Sequence, residues 1–380
     1  MEQNTKLIDE QACSLYQVCQ ELTDCRLPRG VRHRYGSILA IALGGIISGA
    51  SNYLEMGEWA QALTPAQLKK LGVKRRDHKY LAPSESTLRR TLQHTNPEQL
   101  DKTLGAWARE SLCNKFSAVA CDGKWLRGSR FEGETVKLMA ALTHDSGVVI
   151  GQTAVPSSTN EIGAMRPLLS GLDLQDVVVT ADALHTQRDF VRFLVEEKQA
   201  HYVLVVKGNQ SELEQAIRQI GDEDWSDSDR STGKGHGRVE TRVTQTSSYL
   251  KEYLNDIDLF PHVEQVFKVA RKVTNQKTGV ITQEEVVGIT SLRSQQAGAK
   301  EIGTLVRGHW SIENKLHWSR DVVFGEDESQ IHANFGAHVM ASLRNTAISL
   351  LRLHGETRLS AALRHFARNP HLAIALICQS

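Results

Sequence analysis

Residues 117–124 read SAVACDGK, and residues 177–185 read VVVTADALH. Each segment begins as a short run of small and β-branched residues, which is typical of a buried β-strand. Each run then ends at an aspartate, Asp122 in the first segment and Asp182 in the second. A carboxylate at the end of a strand can point out of the sheet into a cleft. The two segments therefore predict acidic side chains at one edge of a sheet.

Three more strand-like runs and three helical segments surround these two. The predicted strands are 117–121, 136–143, 148–155, 177–180 and 201–206, and the predicted helices are 161–169, 186–199 and 211–220. The order βββαβαβα is that of the ribonuclease H-like fold, a mixed sheet flanked by helices. In this fold the first and fourth strands are neighbours, so we expect Asp122 and Asp182 to lie side by side.

The rest of the chain is helical except for one β-rich region. Residues 1–112 show helical spacing, and their apolar run 38–50 is too short to cross a bilayer and predicts a buried helix. A Ser- and Gly-rich passage after Gly221 ends in the Gly-rich stretch 233–237, which predicts a flexible turn. Strand-like runs follow at 239–246, 266–273 and 286–291. We predict a mixed α/β protein with an α-helical N-terminal domain at 1–112, the first part of a ribonuclease H-like catalytic domain at 113–225, a β-rich insertion at 226–295, and a helical C-terminal part at 296–380 that completes the catalytic domain.

The composition is that of an ordinary soluble protein, with 40% hydrophobic and 23% charged residues. The six cysteines form no CxxC pair and no Cys/His zinc spacing. The Gly-rich stretch lacks the GxxxxGK pattern of a phosphate-binding loop. Because the N-terminal residues are acidic and lack an apolar core, they predict no signal or transit peptide. We expect a cytoplasmic protein without membrane contact.

The net charge of +1 conceals a basic region. Residues 26–92 contain 12 Lys and Arg against four Asp and Glu, a local balance of +8 that leaves −7 for the rest of the chain. Such a region is either a surface for nucleic-acid phosphates or an ordinary solvated face. Within it, Ser84 begins a capped helix whose Arg89 and Arg90 are predicted to contact DNA.

A third acid follows in the helical segment after Glu301. On a helical wheel the apolar stripe comprises Leu305, Ile312, Leu316 and Val323, and an adjacent polar stripe comprises His309, Glu313, His317 and Arg320. Because Glu313 borders the apolar stripe, we expect it to reach the edge of the sheet and complete a three-carboxylate site. Its rivals are Asp321, Glu326 and Asp327; Asp321 lies roughly 80° from Glu313 at about 100° per residue.

Carboxylates at the ends of strands suit a hard divalent cation. Mg²⁺, or Mn²⁺ in its place, prefers a few carboxylate oxygens together with water and substrate phosphate. Side chains just past the strand ends are predicted to contact a DNA backbone, namely Lys124, Arg127, Lys207, Asn209 and Gln210. His309 and His317 are eight residues apart rather than four, which disfavours a zinc pair. Trp310 and Trp318 either pack in a core or stack on an unpaired base.

Four motifs carry a resemblance to a known family. They are CDGK at 121–124, ADALHTQ at 181–187, VVKGNQ at 205–210 and HWSIENKLHW at 309–318. Together they resemble the H-repeat-associated, ISAs-type insertion-sequence transposases. The similarity covers nearly the whole chain, including the helical N-terminal region.

The resemblance implies a DDE transposase that uses two divalent metal ions and no organic cofactor. Asp122, Asp182 and Glu313 take the positions of the family's triad. The implied reaction is cleavage and strand transfer of double-stranded DNA at terminal inverted repeats, by a homodimer on the DNA. Many relatives carry Tyr, Arg and Lys around the glutamate, where this chain has Val306, His309 and Arg320. We therefore predict Arg320 as a phosphate clamp and His309 as a weaker DNA contact.

Two alternatives to a transposase are compatible with the same sequence. One is a catalytically silent DNA-binding relic or regulator of the same descent, which the presence of all three acids argues against. The other is a ribonuclease H-like nuclease that hydrolyses nucleic acid without joining strands. For the transposase, the basic N-terminal segment and the C-terminal arginines 344, 352, 358, 364 and 368 are expected to bind the inverted repeats.

Overall fold

The computed structural model describes residues 14–29, 31–129, 135–235, 237–256 and 259–379. The chain forms two compact units. The first unit comprises Met1–Phe116, Gly123–Leu168 and Ile312–Ser380, and the second comprises Ser117–Asp122 and Leu169–Ser311. None of the described helices is both long enough and apolar enough to span a bilayer.

The elements are numbered along the chain. The α-helices are α1 (Leu15–Glu21), α2 (Tyr35–Ile47), α3 (Tyr53–Gln61), α4 (Pro65–Lys70), α5 (Glu85–Gln93), α6 (Pro97–Ser111), α7 (Glu161–Ser170), α8 (Arg188–Arg192), α9 (Ser211–Arg218), α10 (Lys251–Asp256), α11 (Ala299–His309), α12 (Gly336–Leu353), α13 (Leu359–Arg368) and α14 (Pro370–Gln379). The strands are β1 (Arg75–Arg76), β2 (Lys79–Tyr80), β3 (Ala118–Trp125), β4 (Lys137–Thr143), β5 (Val149–Ala154), β6 (Val178–Ala181), β7 (His201–Val206), β8 (Asp227–Gly235), β9 (Arg238–Ser247), β10 (Gln265–Asn275) and β11 (Ile281–Thr290).

Helix α2 lies at the centre of the first unit. All 13 of its residues are buried, because α1, α3, α5, α12, α13 and α14 pack around it. A helix that is apolar on every side needs such a position to keep its surface from water. The buried helix predicted at 38–50 is therefore confirmed, although it begins three residues earlier.

A buried polar cluster joins α6 to α12 within this unit. Asp101 Oδ1 accepts hydrogen bonds from Ser342 Oγ at 2.5 Å and Gln152 Nε2 at 2.9 Å. Asp101 Oδ2 lies 2.6 Å from His338 Nε2. Buried polar groups are stabilising only while their partners are present, so this cluster fixes the position of α6 on α12.

The second unit is built on a mixed sheet with the strand order β3, β6, β7, β11, β10, β9, β8. Strands β3, β6 and β7 are parallel to one another, and the remaining pairs are antiparallel. In the first unit, β4 and β5 form an antiparallel pair. The five strands predicted between 117 and 206 are confirmed, and β3 and β6 are neighbours. The mixed α/β, ribonuclease H-like fold is confirmed with them.

The β-rich region extends this sheet, since β11 pairs directly with β7. Strands β9, β10 and β11 confirm the strand-like runs at 239–246, 266–273 and 286–291. The flexible turn predicted for 233–237 was wrong at 233–235, where β8 (Asp227–Gly235) ends, and residue 236 lies outside the described residues. The β8 segment has little strand propensity of its own, but it pairs with β9 along its whole length, from Asp227 opposite Thr246 to Gly235 opposite Arg238. Cross-strand pairing here overrides local propensity.

Two predicted helices are not regular α-helices. The helix predicted at 186–199 consists of α8 and a π-helical turn at Phe193–Glu197. The helical segment after Glu301 consists of α11 followed by π-helical turns at Ile312–His317 and Ser319–Val323. A π turn bonds residue i to i+5 rather than i+4. Side chains beyond such a turn therefore depart from a wheel drawn at 3.6 residues per turn.

Replacing Asp101 tests the buried cluster. Asp101→Ala leaves His338, Ser342 and Gln152 without their shared acceptor, so we expect a loss of about 3 kcal/mol of stability. The melting temperature should fall by roughly 5–10 °C, measured by circular dichroism. Lys102→Ala, at an exposed neighbour on the same helix, is the matched control. An equal melting temperature for the two variants would contradict the assignment.

Candidate active site

The pairing of β3 with β6 brings two aspartates together. The parallel register runs from Ala118 opposite Val178 to Cys121 opposite Ala181. Asp122 and Asp182 are the next residues along the two strands, and neighbouring strands lie about 4.8 Å apart. The Asp182 side chain is 50% exposed, and Asp122 is partly buried. The second unit therefore presents two adjacent carboxylates at the carboxyl edge of its parallel strands.

Residues after β7 hold the loop that begins at Asp182. Asn209 Nδ2 donates to the carbonyl oxygen of Ala183 at 2.7 Å, and Gln210 Nε2 donates to that of Thr186 at 3.0 Å. Buried His185 places Nε2 3.7 Å from Asp182 Oδ1. Asn209 and Gln210 thus position the Asp182 loop, and a direct DNA contact by either stays a prediction.

Helix α11 ends beside the strand that leads to Asp182. His309 Nδ1 lies 3.4 Å from Thr180 Oγ1, and Thr180 Oγ1 donates to the carbonyl oxygen of Val119 at 3.3 Å. Thr180 precedes Asp182 by two residues. His309 therefore sits next to the β3–β6 pair in the second unit. Lys207, directly after β7, is exposed, and its predicted DNA contact is untested.

Glu313 lies in the π-helical turn Ile312–His317 of the first unit. Ile312 and Leu316 are buried, whereas Glu313 is exposed. This turn is anchored to the end of β4, because Lys315 Nζ donates to the carbonyl oxygen of His144 at 2.9 Å. The apolar stripe predicted through Ile312 and Leu316 is confirmed at these two residues, and Glu313 borders it.

Arg320 does not occupy the predicted phosphate-facing position. It has 0% exposure, and its Nη2 lies 2.7 Å from Glu326 Oε1. Arg344, also buried, contacts Glu326 Oε2 at 3.1 Å and donates to the carbonyl oxygen of Ser51. Burial raises the pKa of Glu326, but the two guanidinium groups outweigh it and hold this pKa below its ordinary value. The predictions of Arg320 and Arg344 as DNA contacts are therefore wrong, and Glu326 is excluded as a third metal ligand.

The physical reason for this error is the winding of the helix. The wheel that placed Arg320 on the polar stripe assumed regular α-helical geometry, whereas two π-helical turns cover 312–317 and 319–323. They turn His317 and Arg320 toward the interior. The Arg352 guanidinium group also has its partners within the protein, because it donates to the carbonyl oxygens of Gly147 and Lys315.

An ion pair joins β3 to the segment after Glu313 within the first unit. Lys124 Nζ lies 2.6 Å from Asp321 Oδ1, and the Lys124 side chain is only 10% exposed. Burial raises the pKa of Asp321 and Lys124 opposes that shift. Lys124 therefore neutralises a rival third acid, and this pairing replaces the DNA contact predicted for it. Arg127 is 80% exposed and 3.5 Å from Asp327, so its predicted DNA contact stays open.

Sequence analysis did not identify Glu161, an acid beside Gly123 in the first unit. An ideal Cβ on Gly123 would lie 2.3 Å from Glu161 Oε1, so this position accepts glycine alone without a shift of the glutamate. Glu161 is held by Lys137 at 2.5 Å. In the sequence Glu161 is simply an acid in the first turn of α7, a common helix feature, and nothing singles it out.

Comparison with known proteins decides the family. A family model described as "Transposase DDE domain" matches residues 117–350, and a second, described as "DDE_Tnp_1-associated", matches residues 16–108. The chain belongs to the DDE transposase family. The resemblance stated from the four motifs is thereby confirmed.

Curated relatives agree with this assignment. The chain is 29% identical to "Putative transposase YncI" of Escherichia coli O157:H7 over 89% of this chain and 87% of that protein. It is 26% identical to "H repeat-associated putative transposase YhhI" of Escherichia coli strain K12 over 87% and 88%. A piggyBac transposase in a synaptic complex with hairpin DNA aligns over 95% of this chain and 76% of that chain with 9% identity and a TM-score of 0.42, a likeness too low to carry an argument.

The aspartate pair of the transposase suits a divalent cation. Two adjacent carboxylates, one of them half exposed, supply the oxygen ligands that Mg²⁺ prefers. Among the residues that the structure describes, no three His, Cys, Asp or Glu side chains lie close enough to enclose a metal ion. Metal binding by the two aspartates, and their convergence with Glu313, therefore stay predictions.

Two tryptophans of the transposase lie on its surface. Trp310 is 55% exposed and Trp318 is 53% exposed. The core-packing interpretation is therefore wrong for both. Stacking of either ring on an unpaired base stays a prediction.

The basic N-terminal region of the transposase forms a groove in the first unit. Its walls carry four cations, Arg32, Arg34, Lys74 and Arg76, and the acid Asp24. The capped helix predicted after Ser84 is confirmed as α5, since Ser84 Oγ accepts from the Thr87 amide. Arg90 is exposed, whereas Arg89 Nε bonds Glu85 at 2.9 Å. The clustering of these cations favours a phosphate-binding surface over an ordinary solvated face.

Replacing Arg320 separates a structural role from a DNA-binding one. Arg320→Ala leaves Glu326 with Arg344 alone in a buried site, so we expect a stability loss of about 3 kcal/mol and a clear fall in melting temperature. Arg127→Ala, at an exposed arginine, should leave the melting temperature unchanged. A stable Arg320→Ala protein that has lost DNA affinity would restore the phosphate-clamp interpretation.

Proposed function

We propose that this transposase cleaves double-stranded DNA at the terminal inverted repeats of an insertion sequence and joins the ends to target DNA. Asp122, Asp182 and Glu313 are its proposed metal ligands. The observation that carries the proposal is the adjacent aspartate pair at the point where the parallel pairing of β3 with β6 ends. Two carboxylates in this position would repel each other without a cation between them.

The Lys124–Asp321 ion pair supports the inclusion of Glu313. Lys124 follows Asp122 by two residues, and Asp321 follows Glu313 by eight. The 2.6 Å contact between them therefore ties the chain just after Asp122 to the chain just after Glu313. Glu161, beside Gly123, adds negative charge to the same stretch of β3.

The proposed site holds two Mg²⁺ ions, with Mn²⁺ as a substitute. Bound there, such ions lower the pKa of an attacking water or hydroxyl and stabilise the leaving oxygen during in-line displacement at phosphorus. The protein's share of the work is to hold the three carboxylates in place. Asn209 and Gln210 fix the loop of Asp182, and Lys315 fixes the turn of Glu313. No covalent protein intermediate is required.

The proposed partner is double-stranded DNA, both the inverted repeats and the target. Exposed cations that remain as candidate contacts are Arg90, Arg127, Lys207, Arg358, Arg364 and Arg368. The groove of Arg32, Arg34, Lys74 and Arg76 adds a sequence-independent phosphate surface. Because two transposon ends must be brought together, we propose a homodimer on the DNA.

Isosteric replacement of the three acids tests the reaction. Asp122→Asn, Asp182→Asn and Glu313→Gln each keep the shape but remove one ligand charge, so cleavage with Mg²⁺ should fall by roughly a hundredfold or more. The substrate is a labelled duplex ending in the repeats that flank the coding sequence, with a supercoiled target plasmid. Products are resolved on gels.

Matched controls and outcomes for this test are available in the chain. Asp189→Asn, at an acid with a 96% exposed side chain, and Glu328→Gln, at an exposed acid, should keep full activity. Joined products identify a transposase, and hydrolysis alone identifies a nuclease. Binding without any cleavage by the wild type identifies a silent relic. Full activity in any of the three triad variants removes that residue from the site.

A charge swap tests the role of the Lys124–Asp321 pair. Lys124→Glu or Asp321→Lys alone places like charges together, so we expect a loss of at least about tenfold in cleavage rate. The double variant restores opposite charges and should recover part of that loss. If Lys124 instead contacts DNA directly, the double variant stays as inactive as Lys124→Glu. Rates are compared at equal bound fraction of the duplex.

A further inference from the structure

A second basic groove lies in the second unit, away from the aspartate pair. It crosses β8, β9 and β10 and is bordered by the last turn of α11. Five cations and one acid line it, namely Lys234, Arg238, Arg242, Arg271, Arg307 and Glu240. We call it the insertion groove. We infer that the insertion groove binds the phosphate backbone of double-stranded DNA a few nucleotides from the reacting phosphate, an inference that rests on the proposed function.

The strand register places these cations on one face. Arg238, Glu240 and Arg242 alternate along β9, so they share a face of the sheet. Arg271 of β10 lies directly opposite Arg242. Arg238 and Arg242 are about 14 Å apart along the strand at roughly 3.4 Å per residue. The result is an extended cationic surface and not a pocket for one small anion.

Glu240 keeps two arginines in place at the floor of the groove. Its Oε1 accepts from Arg242 Nε at 2.6 Å and its Oε2 accepts from Arg271 Nη2 at 2.9 Å. Without this acid, two like charges directly opposite each other would be destabilising. One carboxylate thus orients two guanidinium groups, whose fork geometry suits phosphate oxygens.

Three further cations line the groove. Lys234, Arg238 and Arg307 are exposed, and no acid among the described residues lies within ion-pair distance of them. Three such cations beside two fixed arginines produce a local positive potential that attracts a polyanion. No aromatic side chain lines this described groove, and stacking of unpaired bases would need one. The chemistry favours a duplex backbone over a single strand.

Helix α11 links the insertion groove to the aspartate pair. Arg307 lines the groove, and His309, two residues later on the same helix, lies 3.4 Å from Thr180 of β6. The two side chains lie about 200° apart around the helix and so face opposite sides of it. The sheet order places β9 four strands from β6, about 19 Å at about 4.8 Å per strand. A duplex whose reacting phosphate lies at Asp182 can therefore reach the groove with phosphates further along its backbone, within the second unit.

Salt-dependent binding tests the insertion groove. The full chain is titrated against a labelled duplex of unrelated sequence in EDTA, so that binding is measured without cleavage. Removing two phosphate contacts in the double variant Arg238→Ala, Arg307→Ala should reduce the slope of log affinity against log salt by about 2. The affinity should fall equally for the unrelated duplex and for the flanking-repeat duplex. Arg293→Ala, at a cation with a 69% exposed side chain in the same unit, should leave the slope unchanged.

The outcomes separate this inference from the catalytic proposal. An unchanged slope in the double variant, with normal binding by the wild type, overturns the insertion groove and leaves the metal site standing. A reduced slope in the double variant, together with full cleavage by Asp182→Asn, supports the insertion groove and overturns the proposed metal site. A loss confined to a single-stranded oligonucleotide also overturns the inference. Lys234→Ala, which replaces an exposed side chain outside α11, should reduce the slope by about 1 and repeats the test at an independent position.

Discussion

The parallel pairing of β3 with β6 is the constraint on which the site depends. It sets Asp122 beside Asp182, and a slip of one residue would turn one carboxylate to the opposite face of the sheet. The pairing is reinforced by the hydrogen bond from Thr180 to the carbonyl oxygen of Val119. Helix α11 and the loop after β7 both attach to this strand pair. The surrounding structure thus fixes where two carboxylates meet.

In the first unit, much of the charge serves structure and not DNA. Glu326 lies between Arg320 and Arg344 in a buried cluster, and Asp321 is neutralised by Lys124. Isolated charges cannot be buried without a large cost, so such groups are tolerated only in pairs or triads. These pairings leave Glu313 as the exposed acid of its turn. Because Glu326 is buried between two arginines, it does not compete with Glu313 for the proposed third ligand position.

The sequence predicted those features that are encoded locally. The strands, α2 and the aspartate pair follow from runs such as 118–121 and 177–180, in which side-chain pattern and fold agree. Strand β8 could not be predicted, because its pairing with β9 and not its own residues makes it a strand. The burial of Arg320 depends on π-helical winding, and Arg320 shares its partner Glu326 with Arg344, which lies 24 residues beyond Arg320. A helical wheel drawn on one segment shows neither the π-helical winding nor the distant Arg344.

The net charge of +1 is compatible with an enzyme that acts on DNA, because the acidic and basic side chains have different roles. Acids in the ion pairs described here neutralise arginines in the interior or orient them, as Glu240 does in the insertion groove. Exposed cations are instead gathered in the N-terminal groove and in the insertion groove. The local electrostatic potential, and not the net charge of the chain, governs the attraction of a phosphate backbone. At physiological salt, charges further apart than about 8 Å are largely screened from each other. A chain with balanced charge can therefore present two strongly basic surfaces and keep its acids for structure and for metal binding.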